Sequence, residues 1–131
     1  MRGMNALTMV RGFDRIRLSQ EGERAMRTML KVNMSTETAN ELARQGRLGT
    51  VIKSILDDLK PEAAYFTDDN GERTGFIFFD LADASQIPAV AEPWFLTLNA
   101  RVSFRPAMNA EDLAKAVPGI DRAVKKYAGR A

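Results

Sequence analysis

Residues 63–81 read AAYFTDDNGERTGFIFFDL, and this stretch decides the fold class. Asn70-Gly71 separates two aromatic-rich runs, and both turn residues tolerate positive φ, so a tight β-hairpin is predicted here. The second run is apolar at every position from Phe76 to Phe79, a pattern typical of a strand that is covered on both faces. We therefore expect strands over residues 63–67 and 74–81, with apolar contacts on both sides of the second strand.

The acidic pair in the connection, Asp68 and Asp69, is the part of this stretch that most resembles a metal site. A calcium loop needs a spaced series of further carboxylates, and none follows. We therefore assign both residues to the turn.

The segment before the hairpin predicts one strand and one long helix. Residues 29–34 alternate between apolar and polar side chains, as expected for a half-buried strand. Ser35 offers an N-cap for a helix whose apolar stripe continues to Leu59. Glycines weaken the middle of that helix, so we expect a break or kink near residues 45–49.

The segment after the hairpin predicts helix, strand and helix. Ser85 is the expected N-cap of the first helix, which Pro93 should kink or split. Residues 101–105 alternate as a strand. Asn109 caps the last helix, which Pro118-Gly119 should interrupt and in which Tyr127 is expected to be a packing residue.

The order of these elements is βαββαβ followed by a C-terminal helix. It predicts an α+β protein with the ferredoxin-like arrangement and a four-stranded antiparallel sheet. A single layer of helices covers one face of such a sheet, while the strand over residues 74–81 is apolar on both faces. We therefore expect a homodimer in which the uncovered sheet faces pack together.

Composition restricts the chemistry more than it identifies it. The 131 residues, of 14.6 kDa, are enough for one domain. The chain has no Cys and no His, which excludes thiolate nucleophiles, Cys/His zinc sites, His-ligated haem and His-based acid–base pairs. No metal and no cofactor are expected, and the default expectation for location is the cytoplasm.

The N-terminal 28 residues differ from the rest and are treated as an extension, with the domain over residues 29–131. The extension carries six Arg and three acids, whereas the remainder has 13 Lys+Arg and 14 Asp+Glu. The nearly neutral body argues against nucleic-acid binding, and no apolar run is long enough to span a membrane. The extension either forms an amphipathic surface helix or precedes the true start of translation, because Gln20-Glu21-Gly22 can be encoded by a purine-rich run just before Met26 and Met29.

Four short segments resemble small bacterial barrel proteins of unknown function. They are KPEAAYF at 60–66, RTGF at 73–76, AEPW at 91–94 and PAMNAEDL at 106–113. With the order of elements, they resemble the dimeric α+β-barrel superfamily, which includes muconolactone isomerase and cofactor-independent monooxygenases. The resemblance covers about residues 29–127 and implies a homodimer. Branches of the superfamily that use a catalytic or haem-ligating His are excluded.

A polar, basic set of side chains is expected on one face of the predicted sheet. If the apolar residues of strands 29–34 and 101–105 face the helices, the remaining side chains face the other way, near Phe76 or Ile77 and the aromatic residues of strand 63–67. Such a set could bind a small anionic or aromatic ligand. Alternatively, these residues lie at a rim and pair with Asp80, Glu62 or solvent. The set comprises Lys31, Asn33, Arg101, Ser103 and Arg105.

Two functions follow, from different classes. The first is a homodimer that binds a small molecule without catalysis. The second is a metal-free and cofactor-free isomerase or monooxygenase that acts on a small aromatic or lactone substrate. In the second, Glu92 or Asp80 would be the general base, and Arg101, Arg105 or Asn33 would stabilise an enolate. The missing His favours the first.

Overall fold

The computed structural model describes residues 25–128. This part of the chain is an α+β domain with the predicted four strands, and it has four helices. The elements are β1 Met26–Asn33, α1 Thr36–Arg44, α2 Leu48–Leu59, β2 Ala63–Asp69, β3 Glu72–Leu81, α3 Ile87–Leu98, β4 Arg101–Pro106 and α4 Ala110–Ala123. A short 3-10 turn at Ala84–Gln86 precedes α3, and a π-helical turn at Val124–Ala128 continues α4.

The four strands form one antiparallel sheet in the order β2-β3-β1-β4. In register, Leu30 of β1 lies between Ile77 of β3 and Phe104 of β4, and Ala64 of β2 lies beside Ile77. These four side chains therefore share one face, since residues paired across a sheet point to the same side.

That face packs against α1, α2 and α3. Trp94 and Leu98 of α3 are fully buried against Leu30 and Ile77. The partly buried side chains of α1 and α2 complete this core. No residue of α4 belongs to it among those the structure describes. The core members are Leu30, Val32, Met34, Ala39, Ile55, Ile77, Phe79, Trp94 and Leu98.

Several local predictions are confirmed. Ser35 caps α1, since its Oγ accepts a hydrogen bond of 3.2 Å from the Thr38 amide. The long helix breaks between Arg44 and Leu48, where Gly46 has φ +72°. Asn70 and Gly71 have φ values of +57° and +81°, as required by the predicted tight turn.

Two predictions about helix boundaries are wrong. Ser85 is not the cap of α3: Asp83 caps the 3-10 turn and Gln86 occupies the cap position of the helix. Pro118 does not interrupt α4. Of the two expectations for Pro93, a kink or a split, the split does not occur, because α3 is continuous through it. At Pro118 the missing N–H leaves one carbonyl unpaired on an exposed helix, where water can hydrogen-bond to it, so the cost is lower than in a buried helix.

The domain also starts earlier than the sequence indicates. Met26–Thr28 belong to β1 and pair with Phe79–Leu81, and Thr28 is buried. The predicted domain start at residue 29 therefore cuts through the strand. The amphipathic-helix expectation for the extension lies outside the described residues.

Helix α4 leaves an apolar stripe uncovered. Its exposed apolar side chains are three or four positions apart, and even Tyr127, expected to be a packing residue, is 72% exposed. We call these residues the α4 stripe: Leu113, Val117, Ile120, Val124 and Tyr127.

Candidate functional site

The sheet face turned away from α1, α2 and α3 is the candidate site, and we call it the open face. Phe76 and Phe78 of β3 point to this side by strand alternation, as do Met29 and Lys31 of β1. None of these belongs to the core. Tyr65 of β2 contacts Phe78 edge to face, with 6.5 Å between the ring centroids, and is 64% exposed. The centre of the open face is therefore apolar, and no helix within residues 25–128 lies over it.

A polar cluster lies beside these aromatic rings, toward the β2–β3 turn. Lys31 Nζ is 2.8 Å from Asp69 Oδ2 and 5.9 Å from the centroid of the Phe76 ring. Asn33 Nδ2 donates to Thr74 Oγ1 at 2.9 Å and to Asp69 Oδ2 at 3.4 Å. The cluster thus connects β1, β2 and β3 through their side chains.

Arg101 extends this cluster to β4. Its Nη2 donates to Glu72 Oε1 at 2.7 Å, while Thr74 Oγ1 donates to the Glu72 carbonyl at 3.0 Å. The predicted basic residues therefore do lie on one face, but their acidic partners differ from the expected ones. Asp69 and Glu72 pair with them, rather than Asp80 and Glu62. Glu62 pairs instead with Arg27, at 3.4 Å.

Ser103 and Arg105 are the members of the predicted set that keep their polar groups available. Ser103 is opposite Lys31, and Arg105 is opposite Met29. Within residues 25–128, neither side chain has a hydrogen-bond or ion-pair partner, and Arg105 is exposed. Met29 lies between Arg105 and Phe78 in register, so this unpaired guanidinium is at the edge of the apolar centre, where it can bind an anionic group of a ligand.

The two predicted general bases lie away from this cluster. Asp80 is six residues beyond Thr74 on β3, or about 20 Å along an extended strand. Glu92 is exposed on α3, in the helical layer. Arg101 is at the Thr74 end of the sheet, across Asn33. Asp80 is therefore far from Arg101 and Asn33, and Glu92 lies in the helical layer. Among the residues expected to stabilise an enolate, Arg105 is the nearest to Asp80 in register, since it is opposite Met29, which pairs with Phe78.

Asp80 instead borders a groove of about 530 Å³ in the helical layer, between α2 and α3. The groove has an apolar floor that includes Ile55 and Phe79, and three carboxylates and one lysine at its edges. Its floor lies on the core side of the sheet, whereas Asp80 and Glu62 at its edge lie beside Arg27 of β1, which alternation places on the open face. Its lining residues are Ile55, Asp58, Leu59, Lys60, Pro61, Glu62, Phe79, Asp80, Gln86, Ala89, Val90 and Pro93.

The described residues contain no group of three or more acidic side chains arranged to hold a metal ion. Within the same range, no helix has both the length and the apolar character needed to cross a lipid bilayer.

The pKa of Asp69 is lowered by the hydrogen bond from Lys31 and then by that from Asn33. The contribution of this carboxylate to stability is therefore present above its unfolded-state pKa and is lost as the pH falls through its lower folded-state pKa. We expect Lys31→Met to raise the pKa of Asp69, because the strongest stabilising donor is removed. Carboxyl-detected NMR titration measures the change. Lys53→Met, which removes a lysine paired with Asp57 on α2, is the control, and an equal rise in both variants would contradict the assignment.

Sequence reasoning missed Asp69, Glu72 and Thr74 as parts of the cluster. The information was present in the hairpin. A two-residue Asn-Gly loop pairs Asp69 with Glu72, and alternation then places Glu72 and Thr74 on the same face as Phe76. Treating Asp69 only as a turn residue concealed its role.

The chain matches no model of a protein family, no curated protein and no solved structure in the three comparisons made with known proteins.

Proposed function

We propose that the protein is a homodimer whose open face binds a small molecule that carries an aromatic ring and an anionic group, without catalysing a reaction. The observation that carries the proposal is the apolar centre of the open face, uncovered by any described helix and bordered by the unpaired Arg105. The fold we propose is the ferredoxin-like arrangement of the dimeric α+β-barrel superfamily. The strand order β2-β3-β1-β4 and the helices on one face support it.

The ligand class follows from the side chains of the open face. Phe76, Phe78 and Tyr65 offer ring surfaces for stacking or edge contacts. Arg105 and the Ser103 hydroxyl offer hydrogen-bond donors to a carboxylate or another anion. Lys31 adds positive charge, although Asp69 already pairs with it. A second copy over this face would enclose the ligand and strengthen these contacts by excluding water.

The alternative function, a cofactor-free isomerase or monooxygenase, has weaker support. Asp80 and Glu92 are remote from the cluster in one subunit, and the acids nearest to it, Asp69 and Glu72, are ion-paired. A carboxylate held ionised by a cation is a weak base at neutral pH.

Benzoate is the probe that tests the binding proposal. We expect saturable binding by calorimetry, with amide shifts in β1, β3 and β4 by NMR. Arg105→Gln should weaken it about tenfold, as expected for the loss of one charge-assisted hydrogen bond. Benzyl alcohol, which keeps the ring without the charge, should bind similarly weakly to both proteins.

Arg47→Gln is the matched control, since Arg47 is an exposed arginine at the start of α2. It should leave benzoate binding unchanged. Shifts confined to the groove between α2 and α3, or equal affinity in the Arg105→Gln protein, would show that the open face is not the binding site.

A further inference from the structure

Helix α4 exposes an apolar stripe that no residue of the described part of the chain covers. The stripe runs from Leu113 to Tyr127, a span of 15 residues or about 21 Å along a helix. Its five side chains are 45–72% exposed, and none of them contributes to the core. A surface helix normally buries its apolar stripe against another element, so the α4 stripe needs a partner.

The start and direction of α4 are held by polar contacts. Asp112 Oδ2 accepts hydrogen bonds from the Asn109 amide at 3.0 Å and from Arg27 Nη1 at 3.2 Å. The Ala107 amide donates to the Arg27 carbonyl at 2.9 Å. Arg27 belongs to the open face by strand alternation. Helix α4 therefore begins at the edge of that face, yet it leaves both the open face and its own stripe uncovered.

The size of these two surfaces fits a dimer. The side chains of the α4 stripe and Tyr65 are 45–72% exposed, and Met29, Phe76 and Phe78 are partly exposed. Together they offer an apolar surface comparable with the roughly 800 Å² that a stable interface takes from each partner. In a two-fold dimer each subunit uses both surfaces at once, so a closed pair leaves neither exposed.

We propose that α4 of each subunit packs its stripe against the open face of a second copy of this chain. The contact would place α4 beside the ligand site of the partner, so each site would be completed by the other subunit. This inference rests on the dimer of the proposed function. It goes further by stating that the α4 stripe contacts the sheet of the second copy and not its α4. Contact between the two α4 helices is the arrangement that the experiment must distinguish from this one, because the spacing of the stripe is also that of a coiled-coil seam.

Engineered cysteines distinguish these arrangements, since the chain has no cysteine of its own. One full-length protein carries Val117→Cys on the α4 stripe. A second, isotopically labelled, carries a single cysteine on the open face, with Ala63, Thr67 and Ser103 replaced one at a time. The two proteins are mixed, oxidised gently and analysed by intact mass. We expect the mixed disulfide with at least one open-face position, at about tenfold or more above a Glu37→Cys control on exposed α1, because docking raises the effective concentration of the two thiols.

The observed disulfides are interpreted together with the molar mass of the unmodified chain in solution, which shows whether it is a monomer or a dimer. A mixed disulfide in a protein of twice 14.6 kDa supports the proposal. A dimer that forms only the Val117→Cys homodisulfide overturns it in favour of pairing between α4 helices. A dimer without cross-links above the control also overturns the docking of α4 but leaves the dimer. A monomer overturns both the docking and the proposed dimer.

Discussion

Trp94→Ala is expected to lower the free energy of unfolding by about 3–5 kcal/mol. Trp94 is fully buried at the centre of the core, and alanine would leave a cavity that the surrounding side chains can fill only in part. A domain of this size has a total stability of about 5–15 kcal/mol, so the variant should be close to unfolded at physiological temperature. Urea unfolding followed by far-UV circular dichroism measures the loss, since the substitution removes the only tryptophan.

Two further variants test whether the loss of stability in Trp94→Ala comes from the loss of core packing. Leu96, on the same helix, is 80% exposed, and Leu96→Ala should change stability by less than about 0.5 kcal/mol. Trp94 Nε1 is buried without a hydrogen-bond partner among the described residues. Trp94→Phe removes this unpaired donor and should cost less than Trp94→Ala. Equal losses for Trp94→Ala and Leu96→Ala would contradict the assignment of Trp94 to the core. All proteins are compared at one concentration, because self-association adds to apparent stability.

Phe78→Glu is expected to weaken self-association at least about 100-fold, or roughly 3 kcal/mol, by placing a charge in the apolar centre of the proposed interface. Phe78 is not a member of the core and points to the open face, so the subunit should stay folded. Its neighbour Phe79 is 4% exposed and packs edge to face on Phe104 at 6.3 Å. Phe79→Ala should therefore lower stability by about 3–5 kcal/mol. Sedimentation velocity over a dilution series measures association, and urea unfolding measures stability.

Thr50→Glu adds the same charge at an exposed position of α2 and should leave association unchanged. If Phe78→Glu keeps the molar mass of the unmodified protein at every dilution, the open face is not the dimer interface. A Phe78→Glu protein that unfolds as readily as Phe79→Ala would show instead that β3 depends on both faces for its stability.

The parts of the fold that were predictable depend on interactions between residues close in sequence. The Asn70-Gly71 turn, the Ser35 cap and the break at Gly46 all arise from backbone preferences of one or a few residues. The errors at Ser85 and Pro118 arose where such preferences compete. The Asp83 carboxylate accepts the hydrogen bond of the Ser85 amide, so Asp83 and not Ser85 is the cap of this turn. An exposed helix accommodates a proline because water can hydrogen-bond to the carbonyl that lacks its intrahelical partner.

The candidate site was predictable only in part, for a related reason. Alternation alone placed Lys31, Asn33 and Arg101 on one face. Their acidic partners depend on how β2, β3 and β1 are aligned, and this alignment brings Asp69 and Glu72 to them while leaving Asp80 about 20 Å away.

The sequence by itself determined the elements, the face to which each strand residue points, and the exclusion of histidine and cysteine chemistry, because these follow from residue type and short-range periodicity. Only the tertiary structure decided which charges pair on the open face, that Asp80 and Glu92 lie away from the polar cluster, and that α4 leaves its apolar stripe uncovered by the described residues. Those features depend on contacts between residues far apart in the chain. Strand register and helix packing determine these contacts together, and no local sequence pattern specifies them.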